Sequence, residues 1–332
     1  MYDTSILKEQ LASPKQVTVL MHARPDADAL GTSLALALFL REQGHAVRVI
    51  APTEYPTFLS WLPGVDTVIV AAHCTQDALL AQMQDIDLLF CVDFSAISRL
   101  DEWAYLLKQP DAFKIIIDHH IEPENFADLL LWDSQAAASS EVLFQIFEAL
   151  EQKEKITPAI ATCLYAGLVT DTNSFKNPNT RAVTHRIAAD LIEYGVDPFN
   201  VQRLIYDNKS LNRLHFFSFA VSQRLVVLPS LHVAYFVIQK EDYKRYELKS
   251  GDTEGLVDYA LSLKDISLAA VLKEKDDTVY LSLRSVGDLP ANLIAKKYFN
   301  GGGHKNAAGG VSHLSLVETV DRFEKILQEF CL

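Results

Sequence analysis

The chain has 332 residues, 49% of them hydrophobic and 22% charged. That is more than one core usually organises, so two domains are expected, and the composition is neither collagen-like, disordered nor low-complexity. A net charge of −13 argues against the basic face that grips long duplex nucleic acid. It leaves room for a small anion held by a local basic pocket or by metal ions, since a metal site needs carboxylates. Cys74, Cys91, Cys163 and Cys331 include no CxxC pair, so neither disulfides nor a zinc finger are expected. A polar N-terminus and apolar runs shorter than the ~18 residues of a membrane helix predict a cytoplasmic protein with no membrane partner.

In chain order, residues 17–23 (VTVLMHA) predict a buried strand. Residues 28–44 follow with helical apolar spacing, ending at Gly44 as a C-cap. Residues 46–52, 67–71, 88–94 and 113–118 predict further apolar strands. Continuous apolar strands alternating with helices imply a parallel sheet covered on both faces. Residues 134–153, 158–170 and 181–195 read as helices, then 199–207 and 211–225 after Asp197-Pro198, a stretch without strands. The last third changes character, with β segments at 232–239, 267–274 and 279–285 and helices at 255–263, 289–299 and 316–331. The expected fold is α/β: an N-terminal, mostly parallel sheet with helices on both faces (1–190), a helical connector (191–225) and a smaller mixed α/β domain (226–332).

Chemistry gathers where the predicted strands end, which is where ligands bind in open α/β sheets. His22, Asp26 and Asp28 follow the first strand within seven residues, in a loop stiffened by Pro25. Asp28 by itself could instead be an N-cap, which leaves His22 and Asp26 unexplained. Asp93 ends the run Leu-Leu-Phe-Cys-Val, and Asp118-His119-His120 ends Phe-Lys-Ile-Ile-Ile. A carboxylate at such a tip is costly unless paired or metal-bound, although Asp93 taken singly also suits a helix N-cap, and a lone His pair is often surface decoration. Adjacent His residues point to different sides of an extended chain, so one suits a metal and the other is left to meet substrate. Asp171, at the end of an apolar helix, is weak evidence alone. Two His with four or five Asp favour Mn²⁺ or Mg²⁺ over thiol-seeking ions. In the last third, Gly301-Gly302-Gly303-His304-Lys305 offers exposed backbone N–H groups beside cationic donors, and Arg284-Ser285 a planar phosphate clamp. The same glycines fit a tight turn.

These motifs together resemble the DHH phosphoesterase superfamily with its C-terminal DHH-associated domain, almost end to end. The chain looks most like the subgroup of bacterial oligoribonucleases (nanoRNases) that also dephosphorylate 3'-phosphoadenosine 5'-phosphate. The resemblance implies two divalent ions, Mn²⁺ first and Mg²⁺ or Co²⁺ otherwise. His22, Asp26 and Asp93 would hold one, and Asp28, Asp93, His119 and Asp171 the other, with Asp93 bridging. It further implies that His120 faces the scissile phosphate. Arg284, Ser285, Gly301, Gly302, Gly303 and His304 would bind substrate across an interdomain cleft, with Arg99 as a lesser phosphate contact. Relatives often carry Gly at the place of Asn173. The implied partners are short single-stranded RNA and nucleotide phosphates; a homodimer is compatible. Alternatives are a phosphodiesterase for dinucleotide messengers, a RecJ-like single-strand exonuclease, a family II pyrophosphatase and a catalytically silent nucleotide-binding module.

Overall fold

A computed structural model describes residues 2–108, 112–207, 209–249 and 251–330. The chain divides after residue 208 into two compact units.

In the first unit, α1 (Ser5–Gln10) precedes β1 (Gln16–Met21), α2 (Ala27–Glu42), β2 (Ala46–Ala51), β3 (Val68–Val70), α3 (Gln76–Gln82), β4 (Leu88–Val92), β5 (Phe113–Asp118) and β6 (Leu129–Trp132). Helices α4 (Ser139–Ala149), α5 (Pro158–Asp171), α6 (Ala182–Glu193) and α7 (Pro198–Tyr206) complete it. The six strands are all parallel, in the order β3-β2-β1-β4-β5-β6. Alternate residues of β1, β2, β4 and β5 feed two different cores. Val17, Val19, Met21, Phe90, Val92, Ile115 and Ile117 pack with α2, α4 and α5. Leu20, Ile50, Leu89, Cys91 and Ile116 pack under α3 and the 3-10 turns of Ile97–Leu107. Period-2 side chains that are apolar on both sides explain the unbroken apolar runs.

The second unit holds α8 (Leu211–Gln223), β7 (Leu225–Leu228), β8 (Val233–Ile238), α9 (Lys240–Arg245), α10 (Leu256–Leu261), β9 (Leu268–Lys275) and β10 (Thr278–Ser285). Then come α11 (Ala291–Tyr298), β11 (Gly302–His304), β12 (Ala307–Ser312) and α12 (Leu316–Phe330). Its sheet runs β11-β12-β10-β9-β8-β7 and is mixed, with β8 and β9 parallel and the other pairs antiparallel. One face carries α11 and α12, the other α8 and α10.

Several expectations are corrected. Asp28 is not the N-cap of α2. Asp26 is, its Oδ1 accepting from the N–H of Asp28 and Ala29 at 3.0 Å each. The helix expected at 134–153 begins only at Ser139, because Ala138 is extended (φ −163°, ψ 159°). Strands β6 and β7 are four-residue edge strands, too short to show a period. The glycine-rich segment is not an open loop but the β11–β12 hairpin. There a Cβ on Gly301 would fall 1.9 Å from the Gly309 carbonyl oxygen, and Gly303 has φ +136°. Close backbone approach demands these glycines whatever they bind. Cys331 lies outside the described residues; Cys74, Cys91 and Cys163 are free thiols.

Candidate metal centre

Neighbouring strands β1, β4 and β5 end side by side, and each delivers its polar residues at the same edge. After β1 the backbone N–H of Ala23 donates to the Arg99 carbonyl (2.9 Å), and that of Arg24, at φ 54°, to Thr53 Oγ1 (2.6 Å). Both bonds pin the loop between His22 and Asp26. After β4, Asp93 donates its N–H to the Ile117 carbonyl (2.9 Å) and then turns at φ 62°, a conformation Asp tolerates better than most residues. Its carboxylate thereby crosses the edge towards the histidines.

The result is a cluster that is mostly buried, with Asp26 exposed and Asp171 and His120 partly so. His22 Nε2 lies 3.3 Å from Asp93 Oδ2. His119 Nε2 lies 3.2 Å from Asp171 Oδ2 and 3.7 Å from Asp93 Oδ1. His120 Nδ1 bonds Asp118 Oδ1 at 2.8 Å and lies 3.7 Å from Asp93 Oδ1. Donor atoms of His22, Asp26 and Asp93 lie within 4.8 Å of one another, as do those of Asp28, His119 and Asp171, and those of Asp93, Asp118 and His120. Asp28 and Asp93 are 1% and 2% exposed.

Carboxylates this dry need compensation. Burial, and then the charge of Asp93, push Asp28 up to about 7. Burial and the carboxylates of Asp28, Asp26 and Asp93 raise Asp171, although 29% of its side chain stays exposed. Burial would raise Asp93 too, but the neighbouring imidazoles of His22, His120 and His119 hold it well below the usual carboxylate range. Burial opposes charge on His119 and His120; the carboxylates of Asp93, Asp28 and Asp118 outweigh it for His119, and the bond to Asp118 does so for His120, so both are raised.

The imidazole tautomers follow from their backbone partners. Carbonyl oxygens only accept, so His22 Nδ1 donates to Ala23 O (2.8 Å) and His119 Nδ1 to Ala136 O (3.2 Å). Each ring then turns its Nε2 towards carboxylate oxygens. Nε2 of His22 is buried with no hydrogen bond despite its 3.3 Å approach to Asp93. Lone pairs facing lone pairs call for a proton or a cation between them, and this all-oxygen-and-imidazole set fits a divalent cation.

Arg99 sits on the 3-10 turns beside this edge with its side chain exposed. In the second unit, cross-strand pairing puts Arg284 opposite Ala307 and Ala307 opposite His304. Arg284 and His304 therefore share one row and one face, two strand spacings or roughly 10 Å apart. Arg284 Nε is 3.9 Å from Asp258 Oδ1, and its side chain is 39% exposed. The Ser285 hydroxyl is engaged internally, donating to Leu289 O (2.7 Å) and accepting from Asn306 Nδ2 (2.9 Å).

Three residues were not anticipated from the sequence. Ser139 and Ser140 open α4 and grip Asp28 and Asp93 (below). Gly167 on α5 leaves the space that the Asp28 carboxylate fills, since a Cβ there would meet Asp28 Oδ1 at 2.5 Å. The only signal in the sequence was small polar residues, Ser139-Ser140-Glu141, ahead of an apolar helix.

Among known families, "DHH family, N-terminal domain" matches residues 16–168 and "DHHA1 domain" matches residues 230–331. The chain is 28% identical to the bifunctional oligoribonuclease and PAP phosphatase NrnA of Bacillus subtilis, over 100% of this chain and 96% of that protein. It is 25% identical to the cyclic-di-AMP phosphodiesterase GdpP of Geobacillus thermodenitrificans, of which it spans only 49%. The crystal structure of an exopolyphosphatase-related protein from Bacteroides fragilis superposes with a TM-score of 0.93 at 31% identity, covering 98% of this chain and 95% of that one. The chain belongs to the DHH family, in the two-domain form that carries a DHHA1 domain.

Proposed function

We propose that this protein is a metal-dependent phosphoesterase that hydrolyses short oligoribonucleotides to mononucleotides and removes the 3'-phosphate of 3'-phosphoadenosine 5'-phosphate, using two divalent ions with Mn²⁺ preferred. The observation that carries this reading is the convergence of His22, Asp26, Asp28, Asp93, His119 and Asp171 at one sheet edge, where all but Asp26 and Asp171 are buried. The substrate class is supported by full-length similarity to NrnA of Bacillus subtilis. The similarity to GdpP spans half of that protein and makes a dinucleotide messenger the second reading.

His22, Asp26 and Asp93 would hold one ion; Asp28, His119 and Asp171 would hold the other, with Asp93 shared. Divalent ions held there supply Lewis acidity, making water a stronger acid and drawing charge from a phosphoryl group. Asp118 fixes His120 through Nδ1 and keeps the ring proton-rich, so His120 donates to the scissile phosphate or to the leaving oxygen. The remaining bonds of the ligands hold them in orientation: Asp26 to two N–H groups of α2, His22 and His119 to backbone carbonyls. Arg284 and His304, on their shared row, take a substrate phosphate or terminal nucleotide, as do the N–H groups around Gly301, Gly302 and Gly303. Arg99 is assigned a lesser phosphate contact, and Ser285 supports the Arg284 strand end.

The test is a substrate panel in Mn²⁺ with the parent chain and Asp93→Asn: di- to pentaribonucleotides, 3'-phosphoadenosine 5'-phosphate, pApA and pyrophosphate. The reading expects turnover of the first two by the parent and loss of at least about a thousandfold in the variant. Full activity in Asp93→Asn would refute the metal assignment, and turnover confined to pApA or pyrophosphate would refute the substrate assignment.

A further inference from the structure

The carboxylates of Asp28 and Asp93 come from different strand ends, yet one residue touches both. Ser139 is the first residue of α4. Its backbone N–H donates to Asp28 Oδ2 at 2.6 Å and its hydroxyl donates to Asp93 Oδ1 at 2.7 Å. The N–H of Ser140 donates to Asp28 Oδ1 at 3.1 Å, where the Thr32 hydroxyl also donates at 3.1 Å. Asp28 thus takes up two of the N–H groups that an α-helix leaves unpaired at its start, and α4 has no side-chain cap of its own. With both lone pairs of Oδ1 occupied, Oδ2 is the oxygen of Asp28 left with one to offer. Asp93 Oδ1 likewise keeps one lone pair after accepting from Ser139.

The first turn of α4 is itself anchored. Glu141, with no exposed surface, accepts from Arg181 Nη2 at 2.7 Å and from the Thr184 hydroxyl at 2.6 Å, which ties α4 to the start of α6. A fixed turn can act as a ruler in a way a free side chain cannot.

We propose that Ser139 is a positioning residue that sets the spacing between the two metal subsites, holding Asp28 by its amide and Asp93 by its hydroxyl. The inference rests on the proposed function, because it takes these carboxylates as metal ligands. Ser139→Ala removes only the hydroxyl; the amide to Asp28 remains. Asp93 then loses its one hydroxyl partner while the imidazoles around it are unchanged.

The experiment is Mn²⁺ titration followed by electron paramagnetic resonance of the free ion, with the Tm of the metal-free chain as a second readout, on the parent, Ser139→Ala and Ser139→Thr. The expected result is at least about tenfold weaker Mn²⁺ binding in Ser139→Ala, with metal-free Tm nearly unchanged and affinity largely restored in Ser139→Thr. Parent-like affinity in Ser139→Ala would overturn the inference. So would loss of folding in both variants, which would make Ser139 a packing residue. A parent chain that binds no Mn²⁺ would instead sink the metal reading beneath it, so the two failures are distinguishable.

Discussion

Gly167→Ala tests whether the α2–α5 contact is what seats Asp28. A Cβ at this position would lie 2.5 Å from Asp28 Oδ1, 3.0 Å from Ser140 Oγ and 3.1 Å from Asp28 Cα. The last is backbone, and the same two helices are locked again where a Cβ on Gly31 would lie 2.4 Å from the Cys163 carbonyl oxygen. Neither helix can yield without moving the other. Alanine gains about 1 kcal/mol of helix propensity over glycine, while overpacking of this kind costs about 1–3 kcal/mol. The net loss is up to about 2 kcal/mol, a fall in Tm of up to roughly 8 °C for a unit of this size. The second consequence is more diagnostic. The methyl displaces Asp28 from Thr32 and the α4 amides, so a concentration of Mn²⁺ that stabilises the parent by about 2.7 kcal/mol, at a hundred times Kd, stabilises the variant less. Differential scanning fluorimetry with and without Mn²⁺ reads both. A variant with the parent's Tm and the parent's Mn²⁺-induced shift would refute the reasoning.

Three more outcomes are expected. Asp28 is raised to about 7, and His119 and His120 are raised too, so each holds its proton more tightly folded than unfolded. Their stabilisation is complete below the unfolded pKa values and fades as pH rises through the folded ones; the metal-free Tm should fall from pH 5 to 8. Asp93 and Asp118 are lowered and act only at more acid pH, and a metal-free Tm that rises over pH 5 to 8 would contradict this assignment. Asn173, Ser174 and Phe175 all have positive φ (48°, 55° and 64°) directly after Asp171 and Thr172; urea unfolding should show Asn173→Ala less stable by about 1 kcal/mol and Asn173→Gly not destabilised. Arg284→Ala should raise KM for a trinucleotide more than it lowers kcat, and unchanged kinetics would remove Arg284 from substrate binding.

The parts of the fold that lay open in the sequence are those encoded by period. Strands β1, β4 and β5 are apolar on both sides and each breaks off at a charged or imidazole residue, so His22, Asp93 and Asp118–His120 announced both a parallel sheet and its polar edge. Asp171 was different: on an apolar helix a terminal carboxylate has no pattern of its own, and only the ordered set of motifs singled it out. Ser139 and Ser140 were hard to single out because their hold on Asp28 is by backbone N–H groups, across 111 and 112 residues of chain, and amides carry no residue-specific signature; the Ser139 hydroxyl on Asp93 reads in the sequence only as a small polar residue ahead of a helix. Gly301 and Gly303 were visible but ambiguous. Positive φ and close backbone approach select the same residue, and only the β11–β12 pairing shows that the hairpin already requires both.

The most direct test of the central claim is anomalous diffraction at the manganese edge from crystals soaked in Mn²⁺. The account predicts two peaks beside Asp93, one touched by His22 and Asp26 and the other by Asp28, His119 and Asp171. No anomalous peak at that sheet edge, under conditions where Mn²⁺ supports hydrolysis, would contradict it.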